Sequence, residues 1–132
     1  MAIYNGTTND TVLNSYLAAI RSAEYGKDAR SGMAASVERC YQLAVIKAGG
    51  ARNGVTSAHI AEHSARIRSA VFGEEVRDAL KMGLQLVYSA RGVSPSSTAN
   101  SIFDQLIYAQ TGEDLKNNIL MSIVRCCQEV NR

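Results

Sequence analysis

The chain repeats one segment around a glycine, and this repeat constrains the fold more than any other sequence feature. Residues 20–30 and 67–77 share the order isoleucine, arginine, alanine, aromatic residue, glycine, acidic residue and second arginine. A fainter third copy covers residues 106–116. Internal repeats of this kind predict supersecondary units that cannot bury their apolar faces alone and therefore pack against one another.

The stretch before each glycine predicts an amphipathic helix. A residue that favours a helix N-cap stands sixteen positions before each glycine. Between the two, apolar side chains recur in steps of three and four, which places them on one helix face, with Ser64 as the polar exception. Each glycine is expected to end its helix as a structural turn with a left-handed backbone. The N-cap residues are Asp10, Ser57 and Ser96, and the turn glycines are Gly26, Gly73 and Gly112.

A second helix is predicted after each glycine. Apolar residues return at the third, seventh, eleventh and fourteenth positions past the glycine, again on one face. Cys40 and Cys126 share the fourteenth position with Val87. This equivalence favours buried, reduced thiols over the alternatives of a zinc site or a disulfide.

The first turn of each second helix is acidic, and a basic residue follows it. Carboxylates at this place are stabilised by the helix dipole and by the free backbone N–H groups. We expect these residues to cap the helices and to form ion pairs across the bend; the alternative is an exposed recognition patch for a partner. The acidic residues are Asp28, Glu74, Glu75, Glu113 and Asp114, and the basic residues are Arg30, Arg77 and Lys116.

These patterns predict an all-α fold with about six helices, arranged as three stacked helical hairpins in one domain. The repeats cover residues of about 10–48, 57–90 and 96–130, within a single helical domain of residues 10–132. A chain of 132 residues is long enough to bury one such core. Residues 1–9 are mostly polar and are expected to form a flexible arm, although Ile3 and Tyr4 could anchor it.

Charge and hydropathy argue against nucleic-acid and membrane partners. The net charge of +2 provides no electrostatic case for a polyanionic partner. A DNA-reading helix-turn-helix is disfavoured as well, because the carboxylates that begin all three second helices would meet phosphates directly. No apolar run approaches the roughly 20 residues of a membrane-spanning helix, and the N-terminus lacks the features of a secretory signal.

The chain carries no recognisable catalytic constellation. His59 and His63 lie four residues apart on one predicted helix, but they are the only histidines, and zinc sites use three or four ligands. No serine or cysteine has an evident base beside it, and the glycine-rich phosphate loops are absent. We therefore expect a protein that is not an enzyme and that holds no metal ion or cofactor.

The repeated string of residues 20–30 and 67–77 resembles a short helical module of tail, baseplate and fibre structural proteins of phages of Gram-positive hosts. The third copy departs from it at Ile107 and Lys116, which replace the two arginines. In that family the module is attached to fibre or receptor-binding domains, and no such domain follows the third copy here. The resemblance therefore implies a virion structural protein, assembled in the host cytoplasm, that serves as a connector, decoration or fibre/baseplate adaptor.

Such a protein would bind other phage structural proteins or further copies of itself through exposed helix faces. Arginine and aromatic side chains are enriched at interface hot spots. The alternative for the two aromatic residues is that they fill gaps between hairpins. The alternative function is a small phage-encoded binding protein that inhibits a host factor or sequesters a small ligand. The candidate interface residues are Arg21, Tyr25, Arg30, Arg68, Phe72 and Arg77.

Overall fold

Six α-helices account for most of the chain. The structure is a computed structural model and describes residues 3–23, 26–71, 73–109 and 112–132, among which no β-strand occurs. The predicted all-α fold of six helices in three packed hairpins is confirmed. The helices are α1 (Thr11–Ser22), α2 (Lys27–Ala48), α3 (Ser57–Ser69), α4 (Gly73–Arg91), α5 (Ser97–Tyr108) and α6 (Gly112–Val130).

The first helix of each hairpin begins at a side chain that accepts a backbone hydrogen bond. Asp10 accepts from the Leu13 N–H at 2.8 Å, and Ser96 caps α5 in the same way. The predicted cap of α3, Ser57, is wrong by one residue, because Thr56 takes this role. Thr56 and His59 form a reciprocal capping box, in which the His59 Nδ1 atom accepts from the Thr56 N–H at 3.2 Å.

The second helices of the three hairpins form the centre of the molecule. α2, α4 and α6 contact one another in all three pairs. Each first helix lies in the groove between its own second helix and that of another hairpin: α1 between α2 and α6, α3 between α4 and α2, and α5 between α6 and α4. The third hairpin therefore contacts the first, and the three hairpins close into a ring rather than an open stack.

The core consists of the apolar faces that the repeat predicts. Leu17, Ile67 and Leu106 on the first helices are fully buried, as are many residues of the inner helices. The equivalent positions eleven and fourteen residues past the glycines are all inaccessible to solvent. Those six residues are Val37, Leu84 and Ile123, followed by Cys40, Val87 and Cys126.

The three cysteines are free and buried. Contact with the Cys126 thiol raises the pKa of Cys40, and burial raises it further. The Cys40 thiol and burial likewise raise the pKa of Cys127. Cys40 and Cys127 are therefore protonated thiols, and all three side chains fill space in the core.

The segment that precedes α1 lies against α1 and α6. The Tyr4 N–H donates to the Asn117 Oδ1 atom at 2.7 Å, and the Arg21 Nε–H donates to the Tyr4 carbonyl oxygen at 2.7 Å. Arg21 also donates to the carbonyl oxygen of Gly6. Ile3 and Tyr4 are half-buried against the core, so both predicted anchor residues make contact with it.

A half-buried carboxylate, Asp10, and a buried one, Glu129, connect helices in the first and third hairpins. Both oxygens of Asp10 accept from Arg39 of α2 at 2.8 Å. In the third hairpin, Glu129 of α6 accepts from the Ser96 N–H at 3.2 Å and from the Tyr88 hydroxyl at 2.7 Å. Burial would raise the pKa of Glu129, but the hydrogen bonds from Ser96 and Tyr88 outweigh it and leave this pKa lowered.

Ser64 is expected to destabilise the native state. Its Oγ atom is buried and has no hydrogen-bond partner in the described part of the chain, whereas the equally buried Ser36 donates to the Gly32 carbonyl oxygen at 2.7 Å. We expect Ser64→Ala to raise the free energy of unfolding by about 1 kcal/mol, because a buried hydroxyl without a partner is unfavourable. Thermal and urea denaturation measure this change, with Ser36→Ala as the matched control that should lose stability. A loss of stability in Ser64→Ala would contradict the assignment.

Asp10 is expected to make the stability of the fold depend on acidic pH. The hydrogen bond from Arg39 lowers the pKa of Asp10 below its ordinary value of 3.8. The resulting stabilisation is complete above that ordinary value and is lost as the pH falls through the lowered one. Asp10→Asn keeps the helix cap but not the charge, and should cost about 1 kcal/mol at neutral pH. Urea denaturation between pH 2 and pH 7 should show the two proteins converging at the acidic end.

Candidate functional site

The three bends between first and second helices lie at one end of the bundle. Residues from all three bends line one cavity there. α2, α4 and α6 all begin at this end and pack side by side, so they run away from it in the same direction. We call this end the bend face; it comprises the described residues of 20–30, 67–77 and 106–116, which are the three copies of the repeated segment.

A cavity of about 350 Å³ opens at the centre of the bend face. Its walls come from equivalent positions of the three hairpins: the glycines, the residues three positions later and, in two hairpins, those seven positions later. The lining side chains are apolar except for two cations. The lining residues are Ile20, Gly26, Ala29, Arg30, Met33, Val71, Gly73, Val76, Gly112, Leu115, Lys116 and Ile119.

The repeated glycines begin the second helices, so the prediction that they end the first ones is wrong. Ala23, Ala70 and Ala109 cap the C-termini of the first helices in an extended conformation. The chain needs a positive φ only where it enters the next helix, at Gly26 with φ +87° and at Gly112 with φ +68°. A Cβ atom at either position would meet nothing within 4 Å, so backbone conformation and not space favours glycine. Gly73 is the first residue of α4.

One cation from each hairpin reaches the next hairpin around the ring. Each stands four positions past its glycine and donates to a carbonyl oxygen in the last turn, or at the C-cap, of another first helix. These carbonyl oxygens have no partner within their own helix, and a cation there also stabilises the helix dipole. Arg30 donates to Arg68 O at 3.3 Å, Arg77 donates to Ala109 O, and Lys116 donates to Ala23 O and to Arg21 O at 3.2 Å.

The four arginines that the sequence nominates as interface residues all have partners within the chain. Arg21 holds the segment before α1, and Arg30 and Arg77 belong to the ring of cations. Arg68 forms a 2.8 Å ion pair with Glu38 of α2. As contacts to another protein these residues stay predictions. Tyr25 and Phe72, the two aromatic candidates, lie outside the residues that the structure describes.

The acidic residues at the start of the second helices are exposed on the bend face, although none of them lines the cavity. We call them the rim carboxylates. The Glu75 Oε2 atom accepts from the Val71 N–H at 3.1 Å, so this hydrogen bond joins α4 to the segment before it. The expected role of Glu75 as a cap of the helix itself stays a prediction. The expected ion pairs are wrong for Asp28 and Glu75: within the described part of the chain, neither contacts an arginine, because the nearby cations bind carbonyl oxygens instead. All the rim carboxylates are exposed, namely Asp28, Glu74, Glu75, Glu113 and Asp114.

Two large apolar side chains project from the bend face into solvent. Val71 beside the cavity is 78% exposed, and Tyr108 at the end of α5 is 81% exposed. Neither residue is among the interface candidates that the sequence nominates. The repeat itself marks Val71 as unusual, because the residues at the same position of the other copies are the polar Glu24 and Gln110. An apolar residue that replaces polar ones at an equivalent position indicates a role outside the fold.

The two histidines that the sequence singles out have different surroundings. His59 completes the cap of α3, whereas the Nδ1 atom of His63 is buried without a hydrogen-bond partner among the described residues. Burial lowers the pKa of His63, which favours its neutral form. Among the residues that the structure describes, no group of three or more histidine, cysteine, aspartate or glutamate side chains could hold a metal ion. None of the described helices is long and apolar enough to cross a membrane.

Arg77 is expected to stabilise the ring. Arg77→Met keeps the aliphatic stem but leaves the Ala109 carbonyl oxygen without its cation, and should lower the free energy of unfolding by about 1–2 kcal/mol. Arg77→Lys should lose less than half of that, because Lys116 already performs this role in the third hairpin. Thermal denaturation measures both changes. Arg66→Met is the control, since its ion pair with Glu62 is more than half exposed and should contribute less than about 0.5 kcal/mol.

Comparison with known proteins identifies no relative: no protein-family model, curated protein or solved structure matches the chain.

Proposed function

We propose that this protein is a structural subunit of a phage virion, a connector, decoration or fibre/baseplate adaptor, and that it acts by packing against other proteins through its bend face. The observation that carries the proposal is the position of the repeated segment. The residues that resemble the phage module are those that build the apolar cavity and its exposed surroundings.

The bend face has the physical properties of a docking surface. Val71 is exposed at the wall of the apolar cavity, and Tyr108 is exposed elsewhere on the same face. Burial of apolar surface stabilises association by roughly 25 cal/mol per Å². Tyrosine combines apolar area with a hydroxyl, which explains its enrichment at interfaces. Exposed apolar groups that lie together on one surface typically mark a binding site.

The bend face is also held in a defined shape. Arg30, Arg77 and Lys116 each connect one hairpin to the next, so the three bends are joined by direct hydrogen bonds. A surface that is ordered before binding loses less conformational entropy on association. This favours packing as a rigid subunit, which is what an adaptor or connector requires.

The proposed location is the virion, after assembly in the host cytoplasm, and the proposed partners are other phage structural proteins or further copies of the chain. Nucleic acid is a poor partner for this face, because the rim carboxylates of Glu74 and Asp114 would repel phosphates. Packing between proteins requires no catalytic group, so we propose that the protein is not an enzyme.

The second candidate is a binding protein that sequesters a small ligand or inhibits a host factor. The cavity favours it, since about 350 Å³ lies within the range of roughly 300–1,000 Å³ for ligand pockets. A ligand for this cavity would be largely apolar. The two candidates differ in where the protein resides at the end of infection.

Incorporation into particles tests the proposal. We expect a tagged copy expressed during infection to co-purify with phage particles in many copies, as measured by quantitative mass spectrometry. The double variant Val71→Asp/Tyr108→Asp should be reduced at least tenfold in particles, because two charges in an apolar interface are unfavourable. Its melting temperature should stay close to that of the wild type, since both side chains are exposed.

Val12→Asp is the matched control, because Val12 is 41% exposed on α1 and lies outside the bend face. This variant should enter particles like the wild type. Absence of the wild-type protein from purified particles would overturn the virion proposal and favour the binding protein.

A further inference from the structure

The end of the bundle opposite the bend face has a different chemical character. α2, α4 and α6 start together at the bend face, and with 19 to 22 residues each they span about 30 Å at 1.5 Å per residue. Their C-termini therefore lie at the other end, joined by hydrogen bonds from Arg52 N–H to Ala90 O at 2.8 Å and from Arg91 Nε–H to Val130 O at 2.9 Å. We call this the far end; it comprises residues 46–54, 91–93 and 130–132.

The far end is basic. Its residues include Lys47, Arg52, Arg91 and Arg132 and contain no aspartate or glutamate. Lys47, Arg52 and Arg132 are exposed. The nearby carboxylates of Asp10 and Glu129 do not neutralise this end, because arginines on α2 and α6 already bind them.

Most exposed charges of the bend face have the opposite sign: five of the seven exposed charged side chains described there are carboxylates, and the other two are Lys27 and Arg68, which pairs with Glu38. The rim carboxylates are exposed, whereas Arg30, Arg77 and Lys116 are half-buried and bind carbonyl oxygens. Lys27 is the one exposed cation that has no partner among the described residues of this face. The two ends of one molecule are therefore complementary in charge.

The two ends are also complementary in their apolar features. Ile46, near the end of α2, is 73% exposed and is followed by Lys47. The cavity of the bend face is open, apolar and larger than one isoleucine side chain. An apolar side chain next to a cation thus stands at one end. An apolar cavity stands at the other, on a face that exposes five carboxylates, and the two cations that line it, Arg30 and Lys116, bind carbonyl oxygens.

We propose that copies of this protein associate head to tail, with the far end of one copy on the bend face of the next. Ile46 enters the cavity, and Lys47 and Arg52 meet the rim carboxylates. The inference deepens the proposed function and rests on its choice of the bend face as the docking surface; it names a second copy as the partner. A twofold contact between two bend faces would bring like charges together, which is unfavourable.

A head-to-tail contact leaves one free surface of each kind on every complex. Such heterologous contacts therefore produce rings or open filaments rather than closed dimers. Light scattering should show that the mass of wild-type assemblies rises with protein concentration. The mass of the assemblies should fall when the salt concentration is increased from 0.1 M to 1 M. The Debye length then shortens from about 10 Å to about 3 Å, which weakens the attraction between the oppositely charged ends.

Two variants that each block one end provide the decisive experiment. Ile46→Lys places a charge where an apolar side chain must enter the cavity, and Glu74→Lys/Asp114→Lys makes the rim basic. Each variant alone should be monomeric. An equimolar mixture should form a one-to-one dimer and nothing larger, because it contains one intact far end, one intact bend face and two altered ends that are both basic.

Val12→Lys serves as the control and should assemble like the wild type, and thermal denaturation checks that every variant is folded. A wild type that stays monomeric at millimolar concentration, or single variants that assemble normally, would overturn the inference. So would a monomeric wild type that binds a lysine-flanked isoleucine peptide. A monomer in solution that is present in particles overturns this inference alone, whereas assembly in solution without presence in particles overturns the proposed function alone.

Discussion

The packing of α2, α4 and α6 against one another is the interaction on which the rest of the structure depends. Val37, Leu84 and Ile123 occupy equivalent positions on these helices and are fully buried. Each hairpin alone would expose this apolar surface, and three hairpins bury it completely only when the third also contacts the first. Closure of the ring brings all three bends to one end, so the cavity of the bend face is a consequence of core packing.

Polar contacts around this core connect the helices and satisfy helix ends in each hairpin, but the hairpins use different residues for this. In the first hairpin Asp10 binds Arg39 directly, while in the third hairpin Glu129 connects Arg125 to Ser96. At the bend face, two arginines and one lysine bind the carbonyl oxygens that end the first helices. The physical requirement is a partner for backbone groups that a helix end leaves free, and any side chain with suitable reach and charge meets it.

Because these polar contacts are internal, other charged side chains remain exposed at both ends of the bundle and are available for binding. The stabilising cations are turned inward at the bend face, so most of the charged groups that remain exposed there are carboxylates, together with the apolar Val71 and Tyr108. The far end contains no carboxylate side chain, and its cations Lys47, Arg52 and Arg132 are exposed. A subunit with two different, complementary ends suits an extended assembly, which agrees with the proposed role in a virion.

Capping residues and apolar periodicity act over a few positions, so the sequence alone predicted the helices, their approximate limits and the core residues. They could not show that the hairpins form a ring, nor that Lys116 binds the carbonyl oxygen of Ala23, 93 residues away. The interface residues nominated from composition were therefore mostly found in internal contacts. Which side chains remain exposed depends on long-range packing, and for that reason the acidic bend face and the basic far end emerge only from the folded chain.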